Sequence, residues 1–272
     1  MTVQGKKIGI FDSGVGGLTV ARAVLQALPG ARILYFADTA YAPYGDRPLD
    51  QISQFVEAIL RFLEGEGVDA IVAGCNISWA LLLSGKVQAP SVPVFELLTP
   101  GAQAAAAATG NGIVGVLATT RTVESGAYPK AIEARRPGVR VVQQACPALV
   151  PLVERGELDS PAARQAVAEC VRPLRKAGAD TMVLGCTHYP FLTPLIAAEA
   201  GPGVWLVDPA DEAARRLRQR DRLGVGGGEP VDGRAHRFYA SGATDLLRRY
   251  VTDVLAVEEP TMAQLDVHPD VG

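Results

Sequence analysis

Two stretches of this sequence place a cysteine in the same local setting. Residues 67–76, Gly-Val-Asp-Ala-Ile-Val-Ala-Gly-Cys-Asn, and residues 178–187, Gly-Ala-Asp-Thr-Met-Val-Leu-Gly-Cys-Thr, each run an apolar segment into Gly-Cys-polar. A thiol has an ordinary pKa of about 8.5, which a helix N-terminus or a cationic neighbour lowers, so one thiolate and one thiol can coexist near neutral pH. Two such groups flanking a carbon that bears an acidic hydrogen can take a proton from one face and deliver another to the opposite face, inverting the centre. Cys75 and Cys186 are the candidates for this chemistry. Polar partners stand near each. Asp12 and Ser13 follow the first apolar segment of the chain, His188 lies two residues past Cys186, and Glu154 sits in Pro151-Leu-Val-Glu-Arg-Gly156. Taken alone, Glu154 reads better as a solvated or capping side chain. Asp12 is the stronger candidate, because a carboxylate ending a core strand is seldom only surface.

The segments that must position these residues alternate between two periodicities. Strand-like runs at Lys7–Phe11, Arg32–Phe36 and Asp69–Ala73 are separated by helix-like segments at Leu18–Leu28 and Leu49–Glu64, a rhythm that predicts a parallel α/β sheet. The rhythm restarts near Gly112, with strands at Gly112–Leu117, Val139–Gln143 and Thr181–Leu184 and helices around Ser125–Arg135 and Ser160–Ala177. Residues 8–13 align with 114–119, 31–34 with 139–142, and 67–76 with 178–187, so the chain repeats itself. The expected fold is two pseudosymmetric parallel-sheet α/β lobes. The first is assigned to residues 1–98 plus 208–272 and carries Asp12 and Cys75; the second, 99–207, carries Cys186 and His188. Each cysteine then falls just past the carboxyl end of a strand and near the start of the following helix, where open α/β sheets bind ligands, facing a cleft between the lobes. Ala102–Ala108 reads as a packed helix opening the second lobe, and Glu258–Gly272 as a weakly ordered tail.

Composition narrows the function classes. With 272 residues, 48% of them hydrophobic, the chain can bury a sizeable core. Its 26 basic and 29 acidic residues are evenly spread, giving a formal net charge of −3 and no basic stripe for nucleic acid or an anionic membrane. The N-terminus lacks the apolar run of a secretory signal, and the uncharged stretch Ala70–Gly85 contains Asn76, Ser78 and Ser84 and falls short of a membrane span. The expected location is the cytoplasm. Cys75, Cys146, Cys170 and Cys186 are widely spaced and accompanied by three histidines, a pattern that predicts free thiols rather than a disulfide framework or a zinc site.

At these residues the chain resembles the glutamate racemase family, within the wider aspartate/glutamate racemase group. The motifs that carry the resemblance are Phe11-Asp-Ser-Gly-Val-Gly-Gly-Leu-Thr19, Pro43-Tyr-Gly45, Gly74-Cys-Asn76, Ala118-Thr-Thr-Arg-Thr-Val123 with Ser125, Cys146-Pro147 and Leu184-Gly-Cys-Thr-His-Tyr-Pro190. They run from Lys7 to the Phe238–Gly242 region, nearly the whole chain. The resemblance implies racemisation of glutamate without pyridoxal phosphate, metal or other cofactor. It assigns Cys75, with Asp12, to deprotonation of the D-enantiomer and Cys186, with Glu154 and His188, to the L-enantiomer. It further implies that the substrate is held by Asp12, Ser13, Pro43, Tyr44, Gly45, Asn76, Thr119, Thr122, Thr187 and His188 together with the two cysteines. A role in supplying D-glutamate for peptidoglycan, and a homodimer, follow from the same likeness.

The sequence departs from the family pattern beside the first cysteine. Cys75-Asn-Ile-Ser-Trp-Ala80 stands where the family has Cys-Asn-Thr-Ala-Ser-Ala, so Ile77 removes a hydroxyl contact worth about 1 kcal/mol net. Ser78 restores that contact only if the backbone shifts. Glu96 stands where the family commonly has glycine. Other readings use the same residues. Gly14-Val-Gly-Gly17 with Asp38 resembles a dinucleotide fingerprint, but Thr19 replaces its third glycine and Asp12 would oppose a pyrophosphate; these glycines otherwise serve a tight turn. A racemase or isomerase acting on aspartate, another amino acid or a small dicarboxylate, a decarboxylase, against which the retention of both cysteines argues, and a binding protein with little or no turnover are the remaining alternatives.

Overall fold

The computed structural model describes residues 5–44, 47–220 and 230–268. The chain divides into two compact units, Met1–Glu96 with Ala214–Gly272, and Leu97–Ala213. The first is built from β1 (Lys7–Asp12), α1 (Leu18–Ala27), β2 (Arg32–Ala37), α2 (Leu49–Gly65), β3 (Ala70–Ala73), α3 (Asn76–Leu83) and β4 (Val94–Phe95). The second contains α4 (Leu98–Ala108), β5 (Ile113–Ala118), α5 (Thr120–Ser125), α6 (Ala127–Arg135), β6 (Arg140–Ala145), α7 (Leu149–Glu154), α8 (Pro161–Lys176), β7 (Thr181–Leu184), α9 (Thr193–Ala200) and β8 (Trp205–Val207). Helix α10 (Pro209–Arg220) contains the boundary, and β9 (Arg237–Ala240), α11 (Asp245–Leu255) and β10 (Thr261–Gln264) complete the first unit.

Among the described residues each unit is organised on one parallel sheet, in the order β10-β9-β2-β1-β3-β4 for the first and β6-β5-β7-β8 for the second. The central strands are largely apolar and almost wholly buried, as a sheet covered on both faces requires. The registers repeat. Ile8 faces Ala70 across β1 and β3, and Val114 faces Thr181 across β5 and β7. The first core gathers Phe11, Phe36, Phe55, Ile59, Leu63 and Ile71; the second gathers Val114, Val116, Tyr128, Ile132 and Val183 against Ala102, Ala105 and Ala106 of α4. No described helix is long and apolar enough to cross a membrane.

The same local device leads into each cysteine-bearing strand. Gly67 and Gly178 adopt φ of 69° and 83°, conformations that close the preceding helix and that side chains with a Cβ resist. Two residues on, an aspartate ties the strand to the loop that opens its neighbour. Asp69 accepts from the Lys7 amide at 2.8 Å and the Lys6 ammonium at 2.9 Å. Asp180 accepts from the Thr109 hydroxyl at 2.7 Å, the Gly110 and Asn111 amides at 2.8 and 2.7 Å, and the Thr181 hydroxyl at 3.0 Å. Partial burial pushes both carboxyls up, but these bonds to the charged form outweigh it and leave both below the ordinary aspartate range.

Three expectations change. The helical stretch around Ser125–Arg135 is two helices, because Gly126 takes the left-handed conformation at φ 60° and ends α5. Residues 261–264, read as tail, form β10 in parallel pairing with β9, and the chain beyond it packs onto the first unit as far as His268; residues 269–272 lie outside the described set. Cys186 is followed by a 3₁₀ turn at Tyr189–Leu192 rather than an α-helix, with Pro190 at its start.

Asp180→Ala is expected to lower unfolding free energy by about 2 kcal/mol, the scale of losing hydrogen bonds to a charged acceptor. Because the carboxyl is held below its unfolded value of 3.8, the contribution is full above that pH and disappears as pH falls through the lower folded value. Urea melts of both proteins at pH 7 and below pH 3 should therefore converge in acid.

Candidate active site

The first half-site is assembled where β1 and β3 end. Asp12 closes β1 and is 1% exposed. One of its oxygens accepts the Gly14 amide at 3.0 Å, and its carbonyl accepts the Asp38 amide at 2.9 Å. Two glycines leave room for this carboxylate. A Cβ on Gly17 would lie 2.8 Å from both Asp12 Cβ and the Tyr35 hydroxyl, and one on Gly74 would lie 3.0 Å from Asp12 Oδ2 and 3.0 Å from the Phe11 carbonyl. Gly17 has an ordinary helical φ of −62°, so close approach rather than a tight turn requires it. The Gly74 amide donates to the Phe11 carbonyl at 2.9 Å, and the next residue, Cys75, caps α3.

Cys75 is half-buried and its sulfur lies within the field of Asp12. The start of α3 does lower this thiol, but its effect is outweighed. Burial first, and then the Asp12 charge, push it up to about 12, against stabilisation of the thiolate by the Ser78 amide and hydroxyl and the Ile77 amide. Ser78 is fully buried within a regular α3, and its hydroxyl has no hydrogen-bond partner there; its nearness to Cys75 favours the thiolate and does not replace the substrate contact missing at Ile77. Tyr44 is also buried, its hydroxyl donating to Asp38 Oδ2 at 2.5 Å. Burial, Asp38, Cys75 and Asp12 in turn hold the phenol well above the ordinary tyrosine range, which places it in the same electrostatic neighbourhood. Ser13 follows Asp12 directly, Asn76 opens α3, and Pro43, joined to Ala42 by a cis peptide bond, precedes Tyr44. Gly45 lies outside the described residues.

The second half-site repeats the strand geometry with different chemistry. The Gly185 amide donates to the Leu117 carbonyl at 2.7 Å, and a Cβ on Gly185 would stand 2.8 Å from that oxygen. Cys186 follows, half-buried. Its sulfur is 3.8 Å from His188 Nδ1, and the opposite ring nitrogen of His188 is 2.6 Å from Glu154 Oε1 at the end of α7. Burial of the ring, 3% exposed, opposes protonation, but the bonds and charges of Cys186 and Glu154 on its two sides outweigh this and raise His188 well above the ordinary histidine range. Glu154 is therefore no free surface carboxylate. Thr187 is 9% exposed beside the cysteine. Thr119 caps α5, accepting the Thr122 amide at 3.4 Å, and the two hydroxyls are 3.0 Å apart.

Comparison with known proteins gives the family and the fold. The family described as Asp/Glu/Hydantoin racemase matches residues 15–217. A glutamate racemase from Desulforudis audaxviator is 42% identical over 266 residues, 95% of this chain and 97% of that protein. The chain belongs to this racemase family. Among solved structures, a glutamate racemase isoform from Bacillus anthracis superposes with a TM-score of 0.87 at 33% identity, covering 97% of this chain and 98% of that one. The Francisella tularensis glutamate racemase, solved in complex with D-glutamate, gives a TM-score of 0.82 at 27% identity over 97% of this chain and 99% of that one. These likenesses establish the two-lobe α/β racemase fold.

The structure therefore groups Asp12, Tyr44 and Cys75 in one unit and Glu154, Cys186 and His188 in the other. Sequence reasoning missed Asp38 as a support of the racemase site. Its only signal was a carboxylate ending a strand, the same signal that marked Asp12.

If Asp12 raises Cys75, Asp12→Asn should speed carbamidomethylation of Cys75 by iodoacetamide at pH 8, about tenfold for each pKa unit recovered, while Ser78→Ala slows it. Peptide mass spectrometry resolved by cysteine reads both; an unchanged Cys75 rate in Asp12→Asn would contradict the assigned electrostatics.

Proposed function

We propose that this racemase interconverts L- and D-glutamate by two-base 1,1-proton transfer at the α-carbon, with Cys75 and Cys186 as the two acid/base groups. The observation that carries the reading is a thiol with a proton-managing partner at an equivalent strand end in each lobe: Cys75 beside Asp12, and Cys186 beside the His188–Glu154 pair. Glutamate as substrate is supported by the relatives named above, whose names give that activity.

In the L-to-D direction Cys186, as thiolate, takes the α-proton of L-glutamate, and the Cα–H bond breaks toward its sulfur. His188, cationic between its two partners, compensates the negative charge at that sulfur before transfer. Cys75 arrives protonated, because burial and Asp12 hold it so, and delivers its proton to the opposite face. The Cys75 thiolate left behind is met by the Ser78 and Ile77 amides and the Ser78 hydroxyl. The D-to-L direction reverses every step. Asp12, Ser13, Pro43, Tyr44, Gly45, Asn76, Thr119, Thr122, Thr187 and His188 hold the carboxylates and amine. The product serves bacterial peptidoglycan synthesis, and the enzyme works as a cytoplasmic homodimer, as membership of this family supports.

Incubation in D2O, followed by proton NMR and circular dichroism, tests the scheme. Optical activity should decay with loss of the α-proton signal, and Cys75→Ala and Cys186→Ala should each lower the rate by a factor on the order of 10³, the worth of a positioned acid or base. Racemisation that survives either substitution would sink the two-thiol mechanism, and turnover of aspartate in place of glutamate would sink the substrate.

The two directions should also differ in pH dependence. Deprotonation of D-glutamate needs the Cys75 thiolate, and Cys75 stays protonated until about pH 12. The kcat/KM for D-glutamate should therefore climb with pH between 7 and 9 by about tenfold per unit. A flat profile in that range would contradict the raised thiol.

A further inference from the structure

The C-terminal segment reaches the loop that carries Pro43 and Tyr44. After β10 the Leu265 amide donates to the Ala240 carbonyl at 2.8 Å, and the chain lays Asp266 and His268 against residues 38–44. His268 Nε2 donates to Asp38 Oδ1 at 2.8 Å, and both side chains are fully buried. The other Asp38 oxygen receives the Tyr44 hydroxyl. The imidazole packs at 4.6 Å on Phe55 and edge-on at 4.7 Å to Tyr41, whose own hydroxyl donates to Asp266 at 2.9 Å. Asp266 also accepts the His268 amide at 3.0 Å, fixing the last turn of the segment. Asp38 is anchored in turn by its amide to the Asp12 carbonyl.

Two features separate this arrangement from ordinary packing. A polar pair is fully buried in an aromatic setting, where burying a carboxylate is costly unless both oxygens are bonded, and here each oxygen has a different donor. Those donors are separated by more than two hundred residues, and one of them is the phenol of a residue assigned to the substrate site.

We propose that His268 is a positioning residue of the racemase site: through Asp38 it fixes the Tyr44 phenol, and thereby holds the Pro43-Tyr44 backbone in its substrate-binding conformation. The pairing of β10 with β9 brings that imidazole to Asp38. The proposal rests on the reading of Pro43 and Tyr44 as substrate contacts. His268 does not touch the reacting atoms, so its removal acts on substrate binding rather than on the proton transfers.

Steady-state kinetics of the full chain with both glutamate enantiomers test it, using His268→Phe, which keeps the aromatic packing but loses the donor, and His268→Gln, which keeps a donor. His268→Phe should raise KM about tenfold with kcat within about twofold, His268→Gln should recover most of the loss, and Tyr44→Phe should raise KM to a similar degree. The double variant His268→Phe/Tyr44→Phe should be no worse than either single one, because both break one relay. An unchanged KM in His268→Phe while Tyr44→Phe raises it, or additive effects in the double variant, would overturn the relay alone. An unchanged KM in Tyr44→Phe, which keeps the backbone and loses only the phenol link, would likewise overturn the relay, whereas absence of turnover of either enantiomer by the unsubstituted chain would overturn the proposed function instead. Should His268→Phe unfold at the assay temperature by circular dichroism, Asp38→Asn breaks the same link: a raised KM at preserved kcat supports the relay, and an unaltered KM refutes it.

Discussion

The close approach of a glycine to the carbonyl of the neighbouring strand governs both half-sites. Gly74 and Gly185 donate to Phe11 and Leu117, and a Cβ would meet those same carbonyl oxygens at 3.0 and 2.8 Å, so each strand ends in close contact with its neighbour and hands the next position to a cysteine. Parallel strands point their carboxyl ends the same way, which is why such sheets gather reactive groups at one edge. Any larger residue would push the strand end off its neighbour and carry the sulfur with it. The paired aspartates at 69 and 180, together with left-handed Gly67 and Gly178, set the opposite end of the same strands, so the register that delivers each thiol is fixed at both ends.

From that shared frame the two lobes diverge electrostatically. In the first, a buried carboxylate beside a buried sulfur favours the neutral thiol, and the amides and hydroxyl at the start of α3 temper the penalty without reversing it. In the second, a cationic imidazole lies against the sulfur, kept charged by a carboxylate on its far side. One fold thus sets two chemically identical side chains in electrostatically different surroundings, a carboxylate beside one and an imidazole beside the other. The substitution pattern at residues 77 and 78 fits within this logic. An apolar Ile77 packs against the first core, while Ser78 stands near enough to Cys75 to favour its thiolate.

Much of this was legible in the sequence. The alternation of periods gave a parallel α/β fold, because strands buried on both faces read as continuous apolar runs while the intervening helices are amphipathic. Glycine, aspartate and cysteine recur at fixed offsets because each answers a local demand: a positive φ, an acceptor for free amides, a strand end without a Cβ. Such demands act over a few residues and leave their mark in residue type. The helix break at Gly126 belongs to the same class, yet one glycine in a helical pattern does not announce its φ.

What the sequence by itself determined, then, is the repeat, the two thiols at equivalent strand ends and the carboxylate that ends β1. The tertiary structure alone decided the rest. The protonation bias of Cys75 depends on how much water burial removes and on the distance to Asp12, and Glu154 becomes a partner of His188 only once α7 folds against the turn after β7. Likewise the histidine near the C-terminus, in a stretch whose composition reads as tail, joins Asp38 from 230 positions away. These are contacts between segments remote in the chain, and their free energies come from desolvation and geometry, which local residue patterns do not encode.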